Sequence, residues 1–236
     1  MANQFNRTEL LLGKENMEKL KKAHVLVFGI GGVGGYVVEA LARSGIYHFT
    51  LVDNDVVSET NINRQIIATL DTIGLYKVDV MKNRILFINK DAVVEVKKCF
   101  YLPETAGEFD FTQYDYVVDC VDTVSAKLSI IVEAKKNNIP VISAMGAGNK
   151  MNPVMLEVSD ISKTSVDPLA KVIRRELRNR GINHLKVIYS KEEPIKVEPS
   201  ELKEKSQRPV PGSNAFVPSA MGLIMASEII KDLTNN

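Results

Sequence analysis

The chemistry legible in this chain begins at one glycine-rich run. Val25-Leu26-Val27-Phe28-Gly29-Ile30-Gly31-Gly32-Val33-Gly34 is an apolar strand that turns sharply into a helix, with glycines where a side chain would block a phosphate or the packing of the helix. Taken alone, the spacing of Gly29, Gly31 and Gly34 is a weak signal. It gains weight because a second apolar run follows and ends in Asp53, near the interval of a ribose-binding acid. The bland alternative, glycines serving only a tight turn, does not account for that acid.

Most chains with such a loop bind a dinucleotide for hydride transfer. The residues downstream point elsewhere. Asp53-Asn54-Asp55 precedes Asn61-Ile62-Asn63-Arg64-Gln65, then Lys77, and later Asp119-Cys120-Val121-Asp122 closes an apolar strand. Two bases and an acid beyond the carboxyl ends of strands suit a triphosphate with its magnesium better than a pyrophosphate bridge.

Elements able to position these residues are readable from periodicity. Apolar runs at His24–Phe28, Thr50–Val52, Val93–Lys97, Tyr116–Cys120 and Val141–Ala144 read as buried strands, and helical patterns occupy Gly34–Ser44, Lys77–Ile88 and Ser125–Asn137 between them. That alternation predicts an α/β class: a Rossmann-like, doubly wound, mostly parallel sheet with helices on both faces, in one domain over residues 1–236. Residues 1–22 form a helical lead-in with Leu10, Leu11, Met17 and Leu20 as its apolar stripe and Gly13 interrupting it. Further strands are expected at Met155–Val158 and Lys186–Tyr189, a helix from Pro168 to about Arg180 behind the cap Asp167, and a final helix over Ala215–Leu233. The stretch 190–213, rich in Pro, Glu, Lys and Ser, reads as a mobile loop.

Bulk composition narrows the class. Charged residues make up 25% of 236 and the net charge is +1, so a polyanion must be held by a local patch rather than by the overall field. Two cysteines in unrelated contexts, Cys99 and Cys120, argue against a disulfide framework and a structural zinc. The polar amino-terminus and the interrupted apolar stretch Phe216–Ile230 argue against a secretory signal and a membrane span, so a reducing cytoplasm is expected.

Together GIGGVG, VDNDVV, NINRQ, GLYKVDV and DCVDT resemble the ThiF/MoeB/ubiquitin-activating superfamily of adenylating enzymes over Arg7–Gly148. Gly146-Ala147-Gly148, Glu157–Thr164 and Asp167-Pro168-Leu169-Ala170 extend the resemblance toward one branch, the tRNA threonylcarbamoyladenosine dehydratases. The resemblance implies ATP and Mg2+ as cofactors. Gly31 and Gly32 would lie under the phosphates, Asp53 would bind the ribose hydroxyls, Asn61, Arg64 and Lys77 would hold the triphosphate, and Gly29, Gly34, Asp55 and Gln65 would complete the nucleotide-binding set. Asp122 would ligate the metal, and Arg7 would reach the neighbouring site across a homodimer. A monovalent cation and a sulfur-mobilising protein partner stay open. The implied substrate is tRNA carrying threonylcarbamoyladenosine.

The expected helix from Pro168 carries Lys171, Arg174, Arg175 and Arg178, a stripe suited to a phosphate backbone or simply a solvated face. Superfamily members that charge sulfur carriers commonly have CxxC zinc ligands and an acyl-accepting cysteine, whereas no cysteine follows Cys120 here. An adenylyltransferase for the C-terminal glycine of a small sulfur-carrier protein is therefore the second reading. A NAD-dependent dehydrogenase or a nucleotide-sensing module stands further off.

Overall fold

A computed structural model describes residues 3–197 and 210–235. Seven strands form one sheet in the order β3-β2-β1-β4-β5-β7-β6: β1 (His24–Phe28), β2 (His48–Val52), β3 (Val93–Lys97), β4 (Tyr116–Asp119), β5 (Val141–Ala144), β6 (Leu156–Asp160) and β7 (Lys186–Ser190). All neighbours pair in parallel except the edge strand β6, which runs antiparallel to β7. The helices are α1 (Asn6–Leu12), α2 (Lys14–Lys22), α3 (Gly34–Ser44), α4 (Lys77–Ile88), α5 (Val124–Lys136), α6 (Pro168–Arg178) and α7 (Val217–Thr234).

Strand side chains alternate between two cores, as the two-residue repeat of a strand requires. Val25 and Val27 of β1 face a core built with α2, α3, α4 and α7, while Leu26 and Phe28 face one built with α5 and α6. The crossover helices pack on these two faces, which buries β1 and β4 on both sides. Local chemistry sets the helix ends. Asp167 accepts from the Ala170 amide at 2.8 Å ahead of Pro168, and Gly45, at φ 100°, ends α3 in the left-handed conformation.

Boundaries differ from sequence expectation by small amounts. The lead-in is two helices, because Gly13 sits at φ 79° and ψ 159° and breaks the hydrogen-bonded run. Leu20 is fully buried as the stripe implies, but Leu10 and Leu11 are 87% and 86% exposed, since α1 turns away from its own core. Ser190 belongs to β7 rather than to the expected loop. Of that loop, residues 198–209 lie outside the described residues.

Candidate functional site

Strand order reverses between β1 and β4: the chain leaves β1 toward β2 and β3, then returns to β4 on the other side. At such a switch point the loops after the two strands diverge to opposite faces and leave a crevice at their carboxyl ends. The glycine loop after Phe28 and the Cys120–Asp122 segment after Asp119 are its two lips.

The loop fits only because two side chains are missing. Gly29 has φ 86°, and a Cβ there would lie 2.8 Å from the Cys120 carbonyl oxygen; a Cβ on Gly34 would overlap the carbonyl oxygen of Gly29. Gly32 lies under Pro218 and the Arg64 stem, with its Cβ position 3.2 Å and 3.4 Å from them. Above Gly31 the nearest atom is the Gln65 amide nitrogen at 3.9 Å, so that position faces open room of the kind a phosphate fills.

Asp53 stands at the end of β2. One carboxylate oxygen accepts from the Ile30 amide at 2.7 Å and the other from the Asp55 amide at 2.8 Å, fixing acid and glycine loop to each other. Burial pushes the Asp53 carboxyl above its usual range, opposed by the Lys77 charge and these two amides. Lys77, buried at the start of α4, places its ammonium 2.8 Å from Asp55. Asn61 is buried and its Oδ1 accepts from the Ser58 amide, closing the turn that presents the next residues. Arg64 donates to the Thr60 carbonyl and to Asn63 Oδ1, both at 2.9 Å. Gln65 Oε1 is buried with no hydrogen-bond partner among the described residues. An acceptor orphaned beside the glycine loop marks a place where a donor is owed. The sequence-expected set Gly29, Gly31, Gly32, Gly34, Asp53, Asp55, Asn61, Arg64, Gln65 and Lys77 thus gathers around the β1 and β2 ends.

The opposite lip holds a buried polar centre that sequence reading missed. Lys127, in the first turn of α5, is fully buried and donates to Asp119 at 2.7 Å, to the Ala144 carbonyl at 2.9 Å and to Ser143 Oγ at 3.2 Å. Ser143 in turn donates to Asp119. Burial pushes the Asp119 carboxyl up, while Lys127, Ser143 and the Val121 amide oppose it. One signal was available: Lys127 precedes Ile130 and Ile131 by three and four residues, on the apolar face of its helix, where an unpaired lysine has no place. The neighbouring Cys120 is half-buried against the core, and desolvation followed by the charge of Asp119 pushes its thiol far above its usual range, which disfavours the thiolate. Asp122 is exposed at the crevice, its nearest partner the Thr123 hydroxyl at 3.5 Å.

Among the described residues no group of three or more His, Cys, Asp or Glu could hold a metal. Magnesium is held largely by phosphate oxygens and water plus one or two carboxylates, so a single exposed Asp122 fits that ion and would not fit zinc.

Two expectations take a different form. Phe5, just before α1, packs on Tyr47 ahead of β2, six residues and roughly 20 Å along the strand from Asp53. Arg7, two residues on, is exposed, and its segment docks at the end of β2 opposite Asp53. On α6, Arg174 turns inward to the Thr164 carbonyl and hydroxyl at 2.7 and 2.6 Å, and Arg175 pairs with Glu176 at 3.1 Å. The stripe loses Arg174, drawn to Thr164 beside the apolar face of the helix, and its charge at Arg175 is countered by Glu176, while Lys171 and Arg178 stay exposed.

Crevice and sheet order together define a class. The ThiF family profile matches residues 3–236, and the chain belongs to the ThiF family. Within it, the chain is 47% identical over 243 residues to a tRNA threonylcarbamoyladenosine dehydratase of Bacillus subtilis, covering 99% of this chain and 95% of that protein. The crystal structure of Escherichia coli tRNA N6-threonylcarbamoyladenosine dehydratase, TcdA, in complex with ATP superposes with a TM-score of 0.89 at 33% identity, covering 98% and 94% of the two chains. An adenylyltransferase and sulfurtransferase of Vanderwaltozyma polyspora is 35% identical over only 139 residues, 58% of this chain and 31% of that protein.

The Asp119–Lys127–Ser143 centre predicts a large stability effect. Lys127→Met should cost about 3–5 kcal/mol by urea unfolding, because it strands a buried carboxylate, and Asp119→Asn added to it should recover part of the loss. A single-variant loss below about 1 kcal/mol would sink this account of the pair.

Proposed function

We propose that this chain is an ATP-dependent tRNA threonylcarbamoyladenosine dehydratase, built as one adenylation domain over residues 1–236. What carries the reading is that the likeness to such enzymes runs through the whole chain, with a crevice whose donors suit a triphosphate. Among the described residues no helix is long and apolar enough to cross a membrane, and two free cysteines fit a reducing cytoplasm.

In this reading the phosphates lie over Gly31 and Gly32, the ribose hydroxyls meet Asp53, and Arg64 and Lys77 face the triphosphate beside Asn61 and Gln65. The threonylcarbamoyl carboxylate, already ionised at neutral pH, attacks the α-phosphorus; pyrophosphate leaves and an acyl adenylate forms. Two anions must meet for this, and the cationic side chains offset their repulsion and stabilise the charge that develops. Asp122 would hold the magnesium, which when bound supplies further positive charge at the phosphates. A nitrogen of the same side chain then attacks the activated carbonyl, expels AMP and closes a five-membered hydantoin ring. Nucleophile and electrophile share one molecule, so proximity supplies much of the rate.

A homodimer fits the surface. Leu10, Leu11 and Phe87 are each more than four-fifths exposed, and a groove of about 640 Å3 lined by Phe5, Ile66, Ile67, Phe87 and Ile88 lies at the same edge as α1. Arg7, remote from its own crevice, then serves the partner's. The alternative, adenylation of a sulfur-carrier protein, is disfavoured because no cysteine follows Cys120 to accept an acyl group.

Incubation with ATP and threonylcarbamoyladenosine-containing tRNA should release AMP and yield a nucleoside lighter by one water in mass spectrometry. Arg64→Ala should abolish both while leaving the melting curve in place. Intact nucleosides with wild-type protein would refute the proposal, and surviving ATP consumption in the variant would refute the role of Arg64. Mixing inactive Arg7→Ala and Arg64→Ala proteins should restore activity that neither has alone, because one site of each mixed dimer is complete; no restoration rules out the trans role. For the α6 surface, Lys171→Ala with Arg178→Ala should flatten the slope of log affinity for tRNA against log salt by about two. An unchanged slope would remove α6 from the RNA contact.

A further inference from the structure

The turn that follows β5 does more than connect strands. Asn149 in that turn sits at φ 57°, a left-handed conformation that Asn tolerates better than most side chains. Each of its polar groups but the amide nitrogen of the side chain is committed to a distant segment. Its backbone amide donates to the Gly212 carbonyl at 2.8 Å, its Oδ1 accepts from the Gly212 amide at 2.6 Å, and its carbonyl accepts from the Ile195 amide at 2.7 Å. One residue therefore pins two stretches of chain, at Ile195 and at Gly212, both beyond α6 in the sequence.

From Gly212 the chain crosses the mouth of the crevice as a strap. Pro211 packs where a Cβ on Gly148 would be, only 2.9 Å from its own Cβ. The Ser213 carbonyl accepts from Asn63 Nδ2 at 3.0 Å, beside Arg64. Asn214 donates to the Lys150 carbonyl at 2.6 Å and accepts from the Phe216 and Val217 amides, starting α7. Pro218 then lies over Gly32. Lys150 is itself locked, donating to Asp167 at 2.6 Å and to the Gly146 carbonyl at 2.7 Å, so the turn that carries Asn149 has a rigid base.

We propose that Asn149 is a positioning residue: by holding Gly212 it sets the strap 211–216 as the wall of the crevice on the β5 side, against which the carboxylate substrate is presented. The residues assigned to ATP lie on the β1 and β2 side and meet the strap at Asn63 and, through Pro218, at Gly32, so the clamp governs acceptance of the acyl partner more than it governs nucleotide affinity. This rests on the adenylation reading of the crevice.

The test uses the full chain with three variants. Asn149→Ala loses the acceptor and strains the left-handed backbone; Asn149→Gly keeps the backbone freedom but loses the acceptor; Asn149→Asp keeps both. Asn149→Ala should raise KM for the modified tRNA about tenfold, the worth of one well-placed hydrogen bond, with ATP affinity within about twofold of wild type. Asn149→Asp should restore KM, and Asn149→Gly should fall between. An unchanged KM in Asn149→Ala, or an equal loss of ATP affinity, would overturn the assignment. Amide exchange reads the clamp without turnover: protection at Gly212 and Ile195 should drop in Asn149→Ala and return in Asn149→Asp. If wild-type protein fails to dehydrate tRNA, the adenylation reading falls and exchange still decides the clamp; unchanged protection overturns it.

Discussion

The glycine loop presses backbone against backbone, and the rest of the site depends on that contact. Gly29 lies so close to the carbonyl of Cys120 that a single methyl group would force the two lips of the crevice apart, and Gly34 approaches Gly29 more tightly still. Because β1 and β4 are neighbours, this contact fixes the spacing between the end that presents Asp53 and the end that presents Asp122. Substituting either glycine would thus act on both sides of the crevice at once.

Each lip is stiffened by a different device. On the β2 side, Asp53 accepts two backbone amides and Lys77 holds Asp55, so the acids and bases beside the glycine loop are ordered by charge-assisted hydrogen bonds at the surface of the crevice. On the β4 side the ordering group is buried: Lys127 bridges Asp119, Ser143 and the end of β5. A buried pair contributes little net stability compared with an apolar core of the same volume. Its consequence is geometric, since it ties β4, β5 and α5 together directly beneath Cys120–Asp122 and below the turn that carries Asn149.

Charge on the outer surface follows the same logic of prior engagement. Four basic residues along α6 look equivalent in sequence, yet Arg174 is engaged by Thr164, while Lys171, Arg178 and Arg175, the last beside Glu176, face solvent. The ends of the lead-in show the converse. Leu20 is absorbed into the core, while Leu10 and Leu11, three turns earlier, remain uncovered.

By itself the sequence determined the class of sheet, the position of nearly every strand and helix, and the glycine loop with Asp53, Asn61, Arg64 and Lys77, because these depend on periodicity and on local turn chemistry. The tertiary structure alone decided what depends on residues far apart in the chain meeting. Lys127 reads as one more helix lysine until Ser143 and Asp119 surround it, and Asn149 reads as a loop residue until Gly212 returns to it. Likewise only packing could show that the segment leading to Arg7 docks at the amino end of β2, since the direction in which a lead-in helix docks is set by the core it finds and not by its own pattern.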